Sequence, residues 1–97
     1  MIDRFIIRPR AETDIQDAFD WYESEQPGLG EEFLTSLLDR LETIRSFPES
    51  CPIVYRDIRR GVVSRFPYLV FYIVGPSQVS VLAVLHQSRN PADWPRR

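Results

Sequence analysis

The chain has 97 residues, 43% of them hydrophobic and 27% charged, which fits one globular domain over 1–97 and leaves no room for a second lobe. A single cysteine, Cys51, excludes an internal disulfide and points to a reducing, cytoplasmic setting. The net charge of −2 hides a division: residues 11–50 set eleven carboxylates against Arg40 and Arg45, and residues 51–97 set seven arginines against Asp57 and Asp93.

Such a chain can turn one basic face toward an acidic partner, or its two halves can neutralise each other within the fold. Charge alone leaves both open. Every basic residue is arginine. Arginine holds its proton at any working pH, so it can bind phosphate or carboxylate but cannot act as a general base.

Residues 3–8 contain Phe5-Ile6-Ile7, a first strand stopped by Pro9. The N-terminal stretch lacks the apolar core of a signal peptide, and no run approaches membrane-spanning length. Over residues 11–26, Ala11, Ile15, Ala18, Phe19 and Tyr22 recur at helical spacing. Asp14 and Asp17 lie early in this helix, where negative charge suits the dipole. Pro27-Gly28 ends it. A second helix runs from Gly30 to about Ser46, with a wide apolar stripe of Phe33, Leu34, Leu37, Leu38, Leu41 and Ile44. The connection from Pro27 to Gly30 is short, so the two helices form an antiparallel hairpin.

From Pro52 the pattern changes to strands. Ile53-Val54-Tyr55 reads as short and irregular, and Val62–Phe66 as a strand. Pro67-Tyr68 makes a tight reversal, and Leu69–Val74 is a nearly continuous apolar strand suited to the centre of a sheet. After a turn at Gly75-Pro76-Ser77, residues 79–86 alternate. Val79, Val81, Ala83 and Leu85 share one face; Ser80, Leu82, Val84 and His86 share the other. The predicted order is β-α-α-β-β-β, an α+β fold with a helix hairpin on one face of a small antiparallel or mixed sheet. The opposite face and its rim are expected to carry most of the arginines of the second half.

Three clusters could carry chemistry. Arg56, Arg59 and Arg60 precede a strand and form either an anion-binding rim or a solvated loop paired with the acidic helices. Arg65 with Tyr68, Tyr72 and His86 could serve RNA cleavage through the 2′-OH. That reaction needs a base, a cation for the phosphate and an acid for the leaving oxygen. His86 or a tyrosine would be the base or acid, and Arg65 or Arg89 the cation; a lone histidine on a strand is otherwise structural. In the tail, Trp94 either packs back on the core or meets a target, and Arg89 either pairs with an acid or binds the target. One histidine and one cysteine give no metal constellation, and Gly28-Leu29-Gly30 is a hairpin turn with no basic residue after it. No cofactor is expected.

The whole pattern resembles the RelE/ParE toxin superfamily, and most closely its ParE-like branch. The features that carry the resemblance run along the chain: Ala11-Glu12-Thr13-Asp14-Ile15, Trp21-Tyr22-Glu23, Pro27-Gly28-Leu29-Gly30 with Phe33, Phe47-Pro48 before Pro52, Arg59-Arg60, Phe66-Pro67-Tyr68 with Tyr72, and His86 through Arg89, Pro91 and Trp94. The resemblance implies a helix hairpin against a small curved, mainly antiparallel sheet. It implies a type II toxin neutralised by a cognate, ParD-like antitoxin whose disordered segment folds on binding.

The apolar face of the hairpin, with Phe33, Leu34, Leu37, Leu38 and Leu41, and the edge of the sheet are the expected landing surface for that segment. Related toxins poison DNA gyrase or cut mRNA on the ribosome. The absence of lysine and the long hairpin favour gyrase inhibition by binding. The target surface would then comprise Arg56, Arg59, Arg60, Arg65, Arg89, Trp94, Arg96 and Arg97. A ribosome-dependent endoribonuclease using Arg65, Tyr68, His86 and Arg89 is the alternative, and a non-toxic interaction module is a third reading.

Overall fold

The computed structural model of the chain describes residues 3–88. The elements run β1 (Arg4–Ile7), α1 (Pro9–Glu25), α2 (Leu29–Ser46), β2 (Ile53–Tyr55), β3 (Ile58–Val62), β4 (Tyr68–Val74) and β5 (Gln78–His86). The sheet has five strands in the order β1-β5-β4-β3-β2. β1 lies parallel to β5, and the other neighbours are antiparallel. This is the expected α+β architecture with one more strand, because Ile53–Tyr55 pairs with β3 as a short edge of irregular register.

Pro9 opens α1 at a position where its missing N–H has no intrahelical partner to lose. The helix buries Ala11, Ala18 and Tyr22; α2 buries Gly30, Phe33, Leu37, Leu41 and Ile44. Both stripes close on Val70 and Tyr72 of β4 and on Val79, Val81 and Val84 of β5. At the hairpin turn, Gly28 adopts φ 92° and caps α2 without a side-chain hydrogen bond. Glu23 supplies that cap from the preceding helix. Its two carboxylate oxygens accept the N–H groups of Gly28 and Gly30 at 2.9 and 3.0 Å. A Cβ on Gly30 would lie 2.8 Å from Glu23 Oε1 and 2.9 Å from Phe19 O, so the close approach requires glycine there.

Two details differ from the sequence reading. β3 begins at Ile58, earlier than the expected Val62–Phe66 strand, so Arg59 and Arg60 lie inside it. The stretch after Val63 is instead a turn. Arg65 takes φ 70°, the Val63 N–H donates to Tyr68 O, and the Tyr68 N–H closes on Phe66 O across Pro67. Second, β5 does not alternate evenly. Tyr72 pairs with Val81 but Phe71 pairs with Ala83, leaving Leu82 as an extra residue in the ladder. Val84 therefore joins Val79 and Val81 in the core against the helices, whereas Leu82, Ala83 and Leu85 cluster with Ile58 and Phe71.

Candidate functional site

The end of the molecule where the helix hairpin turns carries a ring cluster. Tyr22 of α1 lies 5.4 Å from Phe33 of α2, 5.0 Å from Phe66 and 6.0 Å from Tyr68, centroid to centroid. Tyr68 in turn contacts Phe33 at 5.2 Å and His86 at 5.4 Å, both edge to face. Tyr68 and His86 meet because they are paired residues at one end of the β4–β5 ladder. Burial, and then the neighbouring Tyr68, push the Tyr22 phenol above its ordinary pKa, so it remains a neutral packing group. Trp21 stacks its edge on Tyr22 at 5.1 Å yet stays 56% exposed.

The His86 ring is exposed, and its Nδ1 accepts the Ser88 N–H at 3.0 Å with Ser88 Oγ at 2.9 Å. An amide can only donate, so the proton of the neutral ring sits on Nε2. An imidazole beside a phenol can move a proton. Cleavage of RNA would also need a cation at the same point. Arg65 lies in the turn before Tyr68, but its Nη2 reaches Glu32 Oε1 on α2 at 3.0 Å and its guanidinium lies 5.8 Å from the Phe66 ring. Of the four residues weighed for catalysis, the fold brings Tyr68 and His86 into contact. It turns Arg65 to Glu32, and Arg89 lies outside the described residues.

The expected arginine-rich sheet face is not formed by the described residues. Strand alternation sends the neighbours Arg59 and Arg60 to opposite faces: Arg59 pairs with Tyr72, which faces the helices, and Arg60 with Phe71, which faces away. Arg59 Nη1 is held by the carbonyls of Cys51 at 2.7 Å and Glu49 at 3.3 Å. Arg56 sits in the β2–β3 turn with φ 54°, its guanidinium 5.3 Å from the Tyr55 ring. The centre of the outer face is apolar, built from Ile58, Phe71, Leu82, Ala83 and Leu85. Trp94, Arg96 and Arg97 lie outside the described residues, as Arg89 does.

The expected landing surface on the hairpin also needs correction. Phe33, Leu37 and Leu41 are buried against the sheet and have no surface to offer a partner. Helical spacing put them on one wide stripe with Leu34 and Leu38, but only the centre of that stripe faces the sheet. Leu34 is half-buried and Leu38 is 55% exposed. Phe47, exposed after α2, is an apolar side chain that the sequence reading passed over. Ile53, Val54 and Tyr55, also exposed, form an edge of the sheet, which the expected landing surface included. Their signal was the unbroken apolar triplet between Pro52 and Arg56. Among the described residues, no group of three or more His, Cys, Asp or Glu side chains could hold a metal ion, and no helix is long and apolar enough to cross a membrane.

Residues 5–91 match the family model for the ParE toxin of the type II toxin–antitoxin system parDE. The chain belongs to the ParE toxin family. Its fold is similar to a solved structure described as a chromosomal ParDE toxin–antitoxin system from P. aeruginosa, with a TM-score of 0.78 and 13% sequence identity. The match covers 89% of this chain and 96% of that one. No curated protein matches the chain.

Proposed function

We propose that this ParE-family protein is the toxin of a type II pair, held inactive in the cytoplasm by a cognate ParD-like antitoxin, and that it inhibits DNA gyrase by binding. The observation that carries this reading is the family match over residues 5–91, which takes in both helices, β2 to β5 and all but the first residue of β1. The antitoxin contact on the hairpin falls to Leu34 and Leu38, the two members of the predicted stripe that the sheet leaves accessible. Arg56, Arg60 and Arg65, all exposed, are the described arginines proposed for target contact. Arg59 is already committed to backbone carbonyls. The test is a supercoiling assay with purified toxin and gyrase, scored also for trapped cleavage complexes. Inhibition that is relieved by the cognate antitoxin is expected; full supercoiling at micromolar toxin refutes the gyrase target.

A second reading, a ribosome-dependent endoribonuclease, draws on the Tyr68–His86 contact and the Nε2–H tautomer of His86. It predicts codon-spaced cuts in mRNA during growth arrest that disappear in His86→Ala. Intact transcripts in arrested cells exclude it.

A further inference from the structure

The apolar run Val81-Leu82-Ala83-Val84-Leu85 poses a problem of register. All five side chains are hydrophobic and buried, so either alternation would give each face an apolar lining. Where both faces accept the same side chains, hydrophobic patterning specifies register weakly. Continuing the Tyr72↔Val81 pairing without interruption would set Phe71 against Leu82 and Tyr68 against Leu85. It would also turn Ala83 and Leu85 toward the helices. The observed ladder has Phe71 against Ala83 and Tyr68 against His86. Something outside the strand pair must select this arrangement.

We propose that Asp14 of α1 selects the β4–β5 register, and is thereby the residue that positions His86 beside Tyr68. β1 ends at Ile7, which pairs with Val81, and the Arg8 N–H closes on Val81 O at 3.0 Å. Beyond that point α1, not a strand, runs along this flank of β5. There the Val84 N–H donates to Asp14 Oδ2 at 3.0 Å, across 70 residues of chain. Amides along a strand point alternately to its two neighbours. In the uninterrupted register the Val84 N–H would turn toward β4, and the carboxylate would lose this donor. With Leu82 as the extra residue, the Val84 N–H turns to α1 and the carboxylate receives it. The other oxygen, Oδ1, accepts from Arg10 Nε at 3.2 Å, and the Asp14 side chain is 12% exposed, so the acceptor is oriented and little hydrated. A charge-assisted bond in such a setting outweighs the small difference between two apolar linings. Asp14 thus acts through the ladder: it sets Val84 inward, Leu85 outward and His86 opposite Tyr68.

NMR of the full chain tests this. In the wild type, a scalar coupling across the hydrogen bond connects the Val84 amide to the Asp14 carboxyl carbon. In Asp14→Ala the Val84 amide exchanges on the order of tenfold faster or more, Phe71 gains cross-strand contacts to Leu82, and the His86 ring protons lose the shift imposed by the Tyr68 ring. Asp14→Asn keeps an acceptor oxygen and restores all three signatures. Ile15→Val loosens α1 packing without touching the carboxylate and leaves them unchanged. Unaltered Val84 protection and His86 shifts in Asp14→Ala overturn the proposal. So does a folded wild type without the Val84–Asp14 coupling, a measurement that stands even if Asp14→Ala does not fold.

Discussion

Glu23 does at the hairpin turn what a side chain at the N-cap would ordinarily do. Gly28 has no side chain to offer the first amides of α2, so the carboxylate of the previous helix accepts the Gly28 and Gly30 N–H groups. Glu23→Ala removes two charge-assisted acceptors at once and is expected to cost about 1.5–3 kcal/mol of stability. Glu23→Gln, which keeps one acceptor oxygen, is expected to cost less; urea unfolding of the three proteins checks the order. Trp21-Tyr22-Glu23 and Pro27-Gly28-Leu29-Gly30 were visible in the sequence as landmarks. That the acid of one closes on the glycines of the other was not, because the hydrogen bonds span the turn and follow no helical spacing. Arg65 shows the same limit. Its partner Glu32 lies 33 residues away, and only packing of the β3–β4 turn against α2 brings them together.

At the scale of elements, α2 shows what periodicity can and cannot define. The apolar spacing correctly marks a helix and the side that packs. The width of the contact depends on how deeply the sheet curves around it. Leu37 is fully buried and Leu38, the next residue, is more than half exposed. Leu37→Ala is expected to cost about 2–5 kcal/mol, whereas Leu38→Ala should stay within about 0.5 kcal/mol. Thermal unfolding measures the first effect, and antitoxin affinity is the readout in which Leu38→Ala should register. In β5 the alternation read from the sequence holds up to Val81 and fails beyond Leu82. Nothing in five consecutive apolar residues signals a bulge; the decisive group, Asp14, lies on another element. β3 was misplaced for a related reason. Arg59-Arg60-Gly61 looks like a loop, yet Gly61 is strand backbone against which α2 packs: a Cβ there would lie 3.2 Å from Arg40 Cδ and 3.3 Å from Ile44 Cδ1.

For the molecule as a whole, Tyr72 ties the central strand to the connection between α2 and the sheet edge. Its buried phenol donates to Pro48 O at 2.7 Å. Burial foremost, and then the adjacent Cys51, push its pKa far above the ordinary 10.0. The unfolded chain releases this proton near pH 10, while the folded chain must keep it. Stability from Tyr72 is therefore full below about pH 10 and declines as the pH rises beyond it. Tyr72→Phe should lose about 0.5–1.5 kcal/mol at neutral pH and flatten the alkaline decline. Urea midpoints between neutral pH and pH 11 test both.

The sequence by itself determined the helix hairpin between a first strand and a run of later strands, the acidic character of the helices and the membership of a family, because each is written in local spacing or in residues that recur in a fixed order. Tertiary structure decided which arginines reach solvent, which leucines lie beneath the sheet, and which face His86 occupies. Those outcomes depend on strand register, on sheet curvature and on hydrogen bonds between residues far apart in the chain. Such contacts leave no period in the sequence from which to read them.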